Sequence, residues 1–249
     1  AFINILNHKV FIYSLRHSEN KPKYELDSSI KIINLDLDYK PSNFFTIIKS
    51  INKLNYNNSV DTVLGIGCYI NLLLPFIKCP NRLACEHSSY DSPSLKVRII
   101  RRFAYKFVEG VISLTKEDKK HYLKMNSNTY VIPNPIPFEA CQYYNRKNIV
   151  VSIGRLDKNK GIDRLLDIWS IVEKKNNNYE LKIYGDGPEK ENLHKKCAAL
   201  NLKRVAFMGE NNNIQRILAE SRILTLTSYK EGFSMVLLEA MACGVPMML

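Results

Sequence analysis

NIVVSIGRLDKNKGIDRLLDIWSIVEKKNNNYELKIYG, residues 148–185, decides the fold class. The opening NIVVSIG is a β-branched apolar run closed by glycine and predicts a strand. DRLLDIWSIVEKK repeats its apolar positions at helical spacing, and YELKIYG returns to the strand pattern. The alternation then continues: EKENLHKKCAAL predicts a helix, RVAFMG a strand, NIQRILAES a helix, RILTLTS a strand and SMVLLEAMAC a helix leading into VPMML. Strands separated by crossover helices build a parallel sheet, so residues 145–249 read as a Rossmann-like domain.

The same rhythm runs upstream. IKIINL, DTVLGI, NRLACEH, EGVISLT and TYVIPNP alternate with the helical patterns FFTIIKSINKL and KVRIIRRFAYKF. Residues 1–144 therefore read as a second unit of the same α/β class, on a mostly parallel sheet covered on both faces. IPNPIPFEACQYYNRKN, with three prolines, predicts a linker between the two. AFINIL at the start reads as the end of a helix and GVPMML at the close as a strand just begun. The expectation is a chain truncated at both ends, its first strand missing and its second domain incomplete.

A length of 249 residues with 45% hydrophobic content permits a substantial core. Six cysteines lack paired C-x-x-C spacing, five of them in or beside apolar runs, which suits free thiols in a reducing cytoplasm. No apolar run approaches the roughly 18–20 residues of a membrane-spanning helix. The net charge of +12 points to an anionic partner. The basic residues are spread along the chain without any nucleic-acid-binding pattern, so no nucleic-acid partner is expected. KVRIIRRFAYKF sets Arg98, Arg102 and Lys106 at i, i+4 and i+8 with Arg101 beside them, and Val97, Ile100, Ala104 and Phe107 on another face. That pattern makes an anionic membrane surface a candidate partner, with peripheral attachment at the inner face of the cell membrane.

Ligands of open α/β sheets bind at the carboxyl ends of strands. Arg155 and Lys160 follow VVSIG, Asp186-Gly187-Pro188 follows LKIYG, and Tyr229-Lys230-Glu231-Gly232 follows ILTLTS. Arginine offers a planar fork and lysine a point charge, so the first pair either clamps a diphosphate or is two solvated loop charges. SMVLLEAMAC is apolar on nearly every side, so its helix is expected to be buried and Glu239 to need a partner. A ribose diol or a structural salt bridge would serve. Glu231 lies roughly 12 Å before it at helical rise. The backbone amides of Gly232, Phe233 and Ser234 form a helix N-terminus suited to phosphate, with Ser234 a candidate N-cap.

EGFSMVLLEAMACGVP, GRLDKNKGIDRLL and LKIYGDGP, in that order, together with CEHSSYDS and VIPNPI, resemble the retaining glycosyltransferases of family 4. The resemblance implies a GT-B type fold, with two Rossmann-like domains facing across a cleft. It further implies donor-phosphate binding by Arg155, Lys160, Gly232, Phe233 and Ser234, ribose binding by Glu239, and catalytic roles for Glu231 and His87. The implied reaction moves a sugar from a nucleoside diphosphate sugar, UDP-hexose or UDP-N-acetylhexosamine, to a hydroxyl of a glycan or lipid-linked glycan in bacterial surface polysaccharide synthesis. No cofactor and no metal are expected. Ser234 stands where many relatives have glycine, and the Gly-rich loop of the family's first strand would precede residue 1. Asp36-Leu37-Asp38 matches a metal-chelating D-x-D of another glycosyltransferase fold, but three residues without that fold's other features read as a solvated strand end. The rival readings are a sugar-nucleotide epimerase or phosphorylase of related fold and a basic nucleic-acid-binding α/β module.

Overall fold

The computed structural model describes residues 8–15, 26–136, 146–176, 178–230 and 234–249. The chain divides into two compact units: Ala1–His87 with Pro93–Val131, and Ile132–Leu249 with Ser88–Ser92.

In the first unit β1 (Phe11–Ser14) pairs in parallel with β2 (Lys31–Asn34). β3 (Thr62–Ile66), β4 (Asn81–Cys85), β5 (Gly110–Ser113) and β6 (Thr129–Val131) form a separate parallel sheet in chain order. α1 (Phe44–Asn57) turns Ile47 and Ile51 onto Leu73 and Ile77, making one apolar core. The crossovers after β3, β4 and β5 carry α2 (Cys68–Asn71), α3 (Leu95–Ala104) and α4 (Lys116–Tyr122). The periodicity reading passed over α2 and α4, both too short for an apolar stripe. For α4 a cap signal exists in the sequence, because Thr115 Oγ accepts from the amide of Asp118 at 3.1 Å and Glu117 and Asp118 occupy the first turn.

α3 corrects the expected division of its faces. Arg101 is not part of an exposed basic stripe; it is 0% exposed and points into the unit. Asp36 to Asp38 lie in the loop beyond β2, where Asp38 pairs with Lys40 at 3.0 Å.

In the second unit β7 (Ile149–Ile153), β8 (Glu180–Tyr184), β9 (Val205–Gly209), β10 (Ile223–Thr225) and β11 (Met247–Met248) form one sheet in the order β11-β10-β7-β8-β9, parallel throughout. α5 (Ile162–Lys175) and α6 (Lys190–Ala199) bury Leu165, Leu166, Trp169 and Leu193 against Leu181 and Ile183. α7 (Ile214–Glu220) and α8 (Met235–Ala242) bury Leu218, Val236 and Ala240 against Ile149, Val151 and Leu224 on the other face. Each such side chain removed from water contributes roughly 1.5–3 kcal/mol. A sheet covered on both sides needs strands apolar on both sides, and IVVSI supplies them.

The chain leaves β7 for β8 and β9 on one side, then returns to place β10 and β11 on the other. The order thus reverses between β7 and β10. Helices on either side of such a reversal splay apart, and the crevice beyond the carboxyl ends of the two strands is where open α/β sheets take ligands.

Four described cysteines, Cys68, Cys79, Cys85 and Cys197, are free thiols as expected, whereas Cys243 is disulfide-bonded. Among the described residues no helix is long and apolar enough to cross a membrane.

Candidate functional site

Arg155 and Lys160 both belong to the segment that leaves β7 at the switch point. Asp157 shapes it, its Oδ1 accepting from the amide of Lys160 at 3.2 Å to close a single 3-10 turn, Lys158–Lys160. Gly161 ends the turn at φ 59° and starts α5. A Cβ on Gly161 would collide with the carbonyl oxygen of Thr227, so glycine is needed both for the left-handed backbone and for the close approach. Thr227 comes from the loop after β10. Its hydroxyl donates to the carbonyls of Lys160 at 3.2 Å and Gly161 at 2.8 Å. The amide of Tyr229 donates to Asn159 O at 2.8 Å, and Asn159 Nδ2 donates to Lys230 O at 2.8 Å. The Arg164 guanidinium lies over the Tyr229 ring, 4.8 Å from its centroid. Four hydrogen bonds therefore lock the loops after β7 and β10 together at the point where the strand order reverses, and Arg164 adds a contact from α5.

The side chains differ in freedom. Arg155 is largely exposed and holds Asp157 only loosely, at 4.0 Å. Lys160 is half-buried, its aliphatic stem within van der Waals reach of a Cβ placed on Gly154. In the turn after the neighbouring strand, β8, Asp186 accepts from Gly187 N at 2.8 Å and Lys190 Nζ at 3.3 Å, which hold its carboxyl below the usual carboxylate range. The amide of Leu156 donates to Asp186 O at 2.9 Å, tying this turn to the Arg155 loop.

Glu239 sits on α8, the helix that follows β10. The helix is buried along one side only: Val236 and Ala240 are inside while Met241 is 61% exposed. This corrects the expectation of burial all round, because the helix lies on a sheet face and nothing described covers its back. Glu239 is half-buried, and its carboxylate makes no hydrogen bond or ion pair with any described residue. Burial pushes its carboxyl above the usual range, with no opposing contribution. The salt bridge to arginine that the sequence left open is absent among the described residues. Ser234 does occupy the N-cap position of α8, but its side chain makes no capping hydrogen bond. Glu231, Gly232 and Phe233 lie outside the described residues.

His87 belongs to the first unit. It is exposed and lies two residues beyond the end of β4. Beneath it is a group that sequence reasoning missed. Glu86 is 2% exposed, accepts a hydrogen bond from the Tyr105 hydroxyl and lies 3.8 Å from Arg101 Nη1. Arg101 in turn donates to the Tyr122 hydroxyl at 3.2 Å, and Asn71 Nδ2 donates to Tyr105 Oη and Cys85 O, each at 3.1 Å. Burial raises the Glu86 carboxyl more than Tyr105 and Arg101 lower it, and it pushes the Cys68 thiol up to about 11. The signal available in the sequence was the acid at the end of an apolar strand, NRLACE, facing an arginine in the next helix.

A cleft of about 300 Å3 runs beside α7, lined by Lys182, Tyr184, Asn213, Arg216 and Glu220 among others. It includes none of the site residues, and Arg216 and Glu220 already engage each other at 2.7 Å. Among the described residues no group of three or more histidines, cysteines or carboxylates is placed to hold a metal ion.

The family model described as Glycosyl transferases group 1 matches residues 138–249. The amylovoran biosynthesis glycosyltransferase AmsD of Erwinia amylovora is 30% identical over 253 residues, 96% of this chain and 71% of that protein. A Campylobacter jejuni alpha-1,4-N-acetyl-D-galactosaminyltransferase, named for a diphospho-undecaprenol-linked glycan, is 28% identical over 94% of this chain and 68% of its own. Among solved structures, a variant of S. aureus TarM in complex with fondaparinux, alpha-GlcNAc-glycerol and UDP superposes with a TM-score of 0.59 at 25% identity. That match covers 67% of this chain and 36% of the TarM chain.

Proposed function

Since the chain belongs to the group 1 glycosyl transferases and has their GT-B type of α/β fold, we propose that it transfers a hexosyl or N-acetylhexosaminyl group from a uridine diphosphate sugar to a glycan or lipid-linked glycan hydroxyl. The acceptor belongs to bacterial surface polysaccharide synthesis, in line with the names of the AmsD and Campylobacter relatives. The observation that carries this reading is the switch point between β7 and β10. Two cations stand on one locked loop after β7, and the helix after the neighbouring strand carries a half-buried carboxylate without a partner among the described residues.

The chemistry follows from those charges. Arg155 and Lys160 bind the diphosphate, each by a charge-assisted hydrogen bond of about 1.5–3 kcal/mol. Glu239 accepts hydrogen bonds from the ribose hydroxyls, which satisfies a carboxylate that has no partner among the described residues. When the bond between the anomeric carbon and the β-phosphate oxygen breaks, negative charge grows on that oxygen, and the two cations stabilise it more in the transition state than in the ground state. The acceptor hydroxyl attacks from the face the phosphate leaves, its proton passes to a phosphate oxygen, and configuration is retained. The cations supply the electrostatic stabilisation, so the reaction runs without a metal. Glu231 and the amides of Gly232, Phe233 and Ser234 position the sugar and the distal phosphate, and His87 meets sugar or acceptor from the first unit.

The test is release of UDP from UDP-hexose or UDP-N-acetylhexosamine in the presence of a lipid-linked glycan, with the product's anomeric proton read by NMR. An α-linked product from an α-linked donor, at a rate unchanged by excess EDTA, is expected. A β-linked product would refute retention, and loss of turnover on chelation would refute metal independence.

A further inference from the structure

The loop after β10 is held at two heights. At its base, Thr227 donates to the carbonyls of Lys160 and Gly161. Further out, Asn159 grips two consecutive residues: its carbonyl accepts from the amide of Tyr229, and its Nδ2 donates to the carbonyl of Lys230, each at 2.8 Å. Backbone and side chain of one residue thus bracket a dipeptide 71 positions away at its far end.

Asn159 is itself placed by a turn that does not use its side chain. It is the middle residue of the 3-10 turn Lys158–Lys160, which Asp157 closes on the amide of Lys160. The side-chain amide is left to serve the other loop. Asparagine suits that service, since it brings a neutral N–H donor on a short stem, whereas aspartate would set a carboxylate against the Lys230 carbonyl oxygen and alanine would reach nothing. Asn159 and Lys230 are exposed, and Tyr229 is 58% exposed, so the bridge adds little to global stability. What it fixes is the course of the chain. Lys230 is the last residue before Glu231, and Lys160 directly follows Asn159.

We propose that Asn159 is a positioning residue for sugar transfer, which holds the segment entering Glu231 in register with the loop that carries Lys160. This role presupposes the transfer chemistry set out above, and Asn159 acts in it through Tyr229 and Lys230 rather than on the donor. Removing the Nδ2 donor leaves Arg155, Lys160 and the Asp157 cap in place, so the diphosphate keeps its cations while the residue before Glu231 loses a tether. A group displaced from its place in the transition state costs turnover, whereas a lost ground-state contact costs affinity.

The experiment is Asn159→Ala in the full chain, followed by steady-state UDP release from the UDP-sugar, calorimetric titration of UDP, and amide hydrogen exchange of the peptide containing Ser228 to Lys230. The expected result is a kcat lowered about tenfold with the UDP dissociation constant within about twofold of wild type, faster exchange in that peptide, and an unchanged thermal melt. Adding Asn159→Ala to Glu231→Gln should lower kcat no further, because the tether acts through the residue already disabled. Unchanged kcat, UDP affinity falling in step with kcat, unchanged exchange in the Ser228–Lys230 peptide, or losses that multiply in the double variant would each overturn the proposal. A wild-type chain that releases no UDP from any UDP-hexose or UDP-N-acetylhexosamine would overturn the transfer chemistry and this role with it, whereas an active wild type indifferent to Asn159→Ala would overturn this role alone.

Discussion

Glu239 is the residue on which the nucleotide reading turns, because its environment is costly to the free protein. A carboxyl raised above its unfolded value by burial binds its proton more tightly in the folded state. It therefore costs nothing while protonated at low pH, and it subtracts from stability as pH rises through the folded value and the charge appears without a partner. Glu239→Gln is accordingly expected to raise the melting temperature of the unliganded chain at pH 8 and to leave it unchanged at pH 4. The gain should be below about 1 kcal/mol, since the side chain keeps contact with water. The same substitution should weaken UDP binding. Parallel melts at the two pH values check the first part, and a variant less stable than wild type at pH 8 would mean that Glu239 has a partner in the free protein.

α3 shows how a single buried charge fixes the orientation of a whole element. Arg101→Met alone strands Glu86 in the interior and should lower stability by about 3–5 kcal/mol. Adding Glu86→Gln removes the stranded charge, so the double variant should lose less than Arg101→Met by itself, as read from urea midpoints. Losses that simply add would place Glu86 and Arg101 in separate environments. The elements also show what a linear pattern carries. IVVSI, LKIY and RVAFMG announce strands because a sheet covered on both sides needs apolar residues on both faces of its strands, and the loop GRLDKNKG announces a candidate site by setting two cations after a strand. Arg101 was misread because helical periodicity sorts charge outward by default, whereas here a tertiary partner on another strand overrides it. The α7–α8 face was only half legible: an apolar helix signals burial, but which of its sides meets the sheet is set by packing. The 3-10 turn at Lys158–Lys160 is likewise made by an aspartate side chain and a threonine from a distant loop, neither of which leaves a periodic trace.

At the scale of the molecule, two α/β units with separate cores divide the work. The second holds the loop that carries Arg155 and Lys160, and its crevice arises from strand order rather than from any one motif, so nucleotide binding should depend on groups on both sides of the β7–β10 reversal. The first carries His87 above a buried ion network and presents the basic, apolar face of α3. A net charge of +12 suits both the phosphates of a sugar nucleotide and an anionic surface, yet charge alone would attract UDP through any of the chain's 36 lysines and arginines. Position distinguishes the account from that alternative. The direct measurement is calorimetric titration of UDP into the wild-type chain and into Lys160→Ala. The account expects affinity to fall by about 1.5–3 kcal/mol, roughly ten- to a hundredfold, with the fold intact. Equal affinity for the two proteins would contradict it and return the loop after β7 to the status of solvated charge.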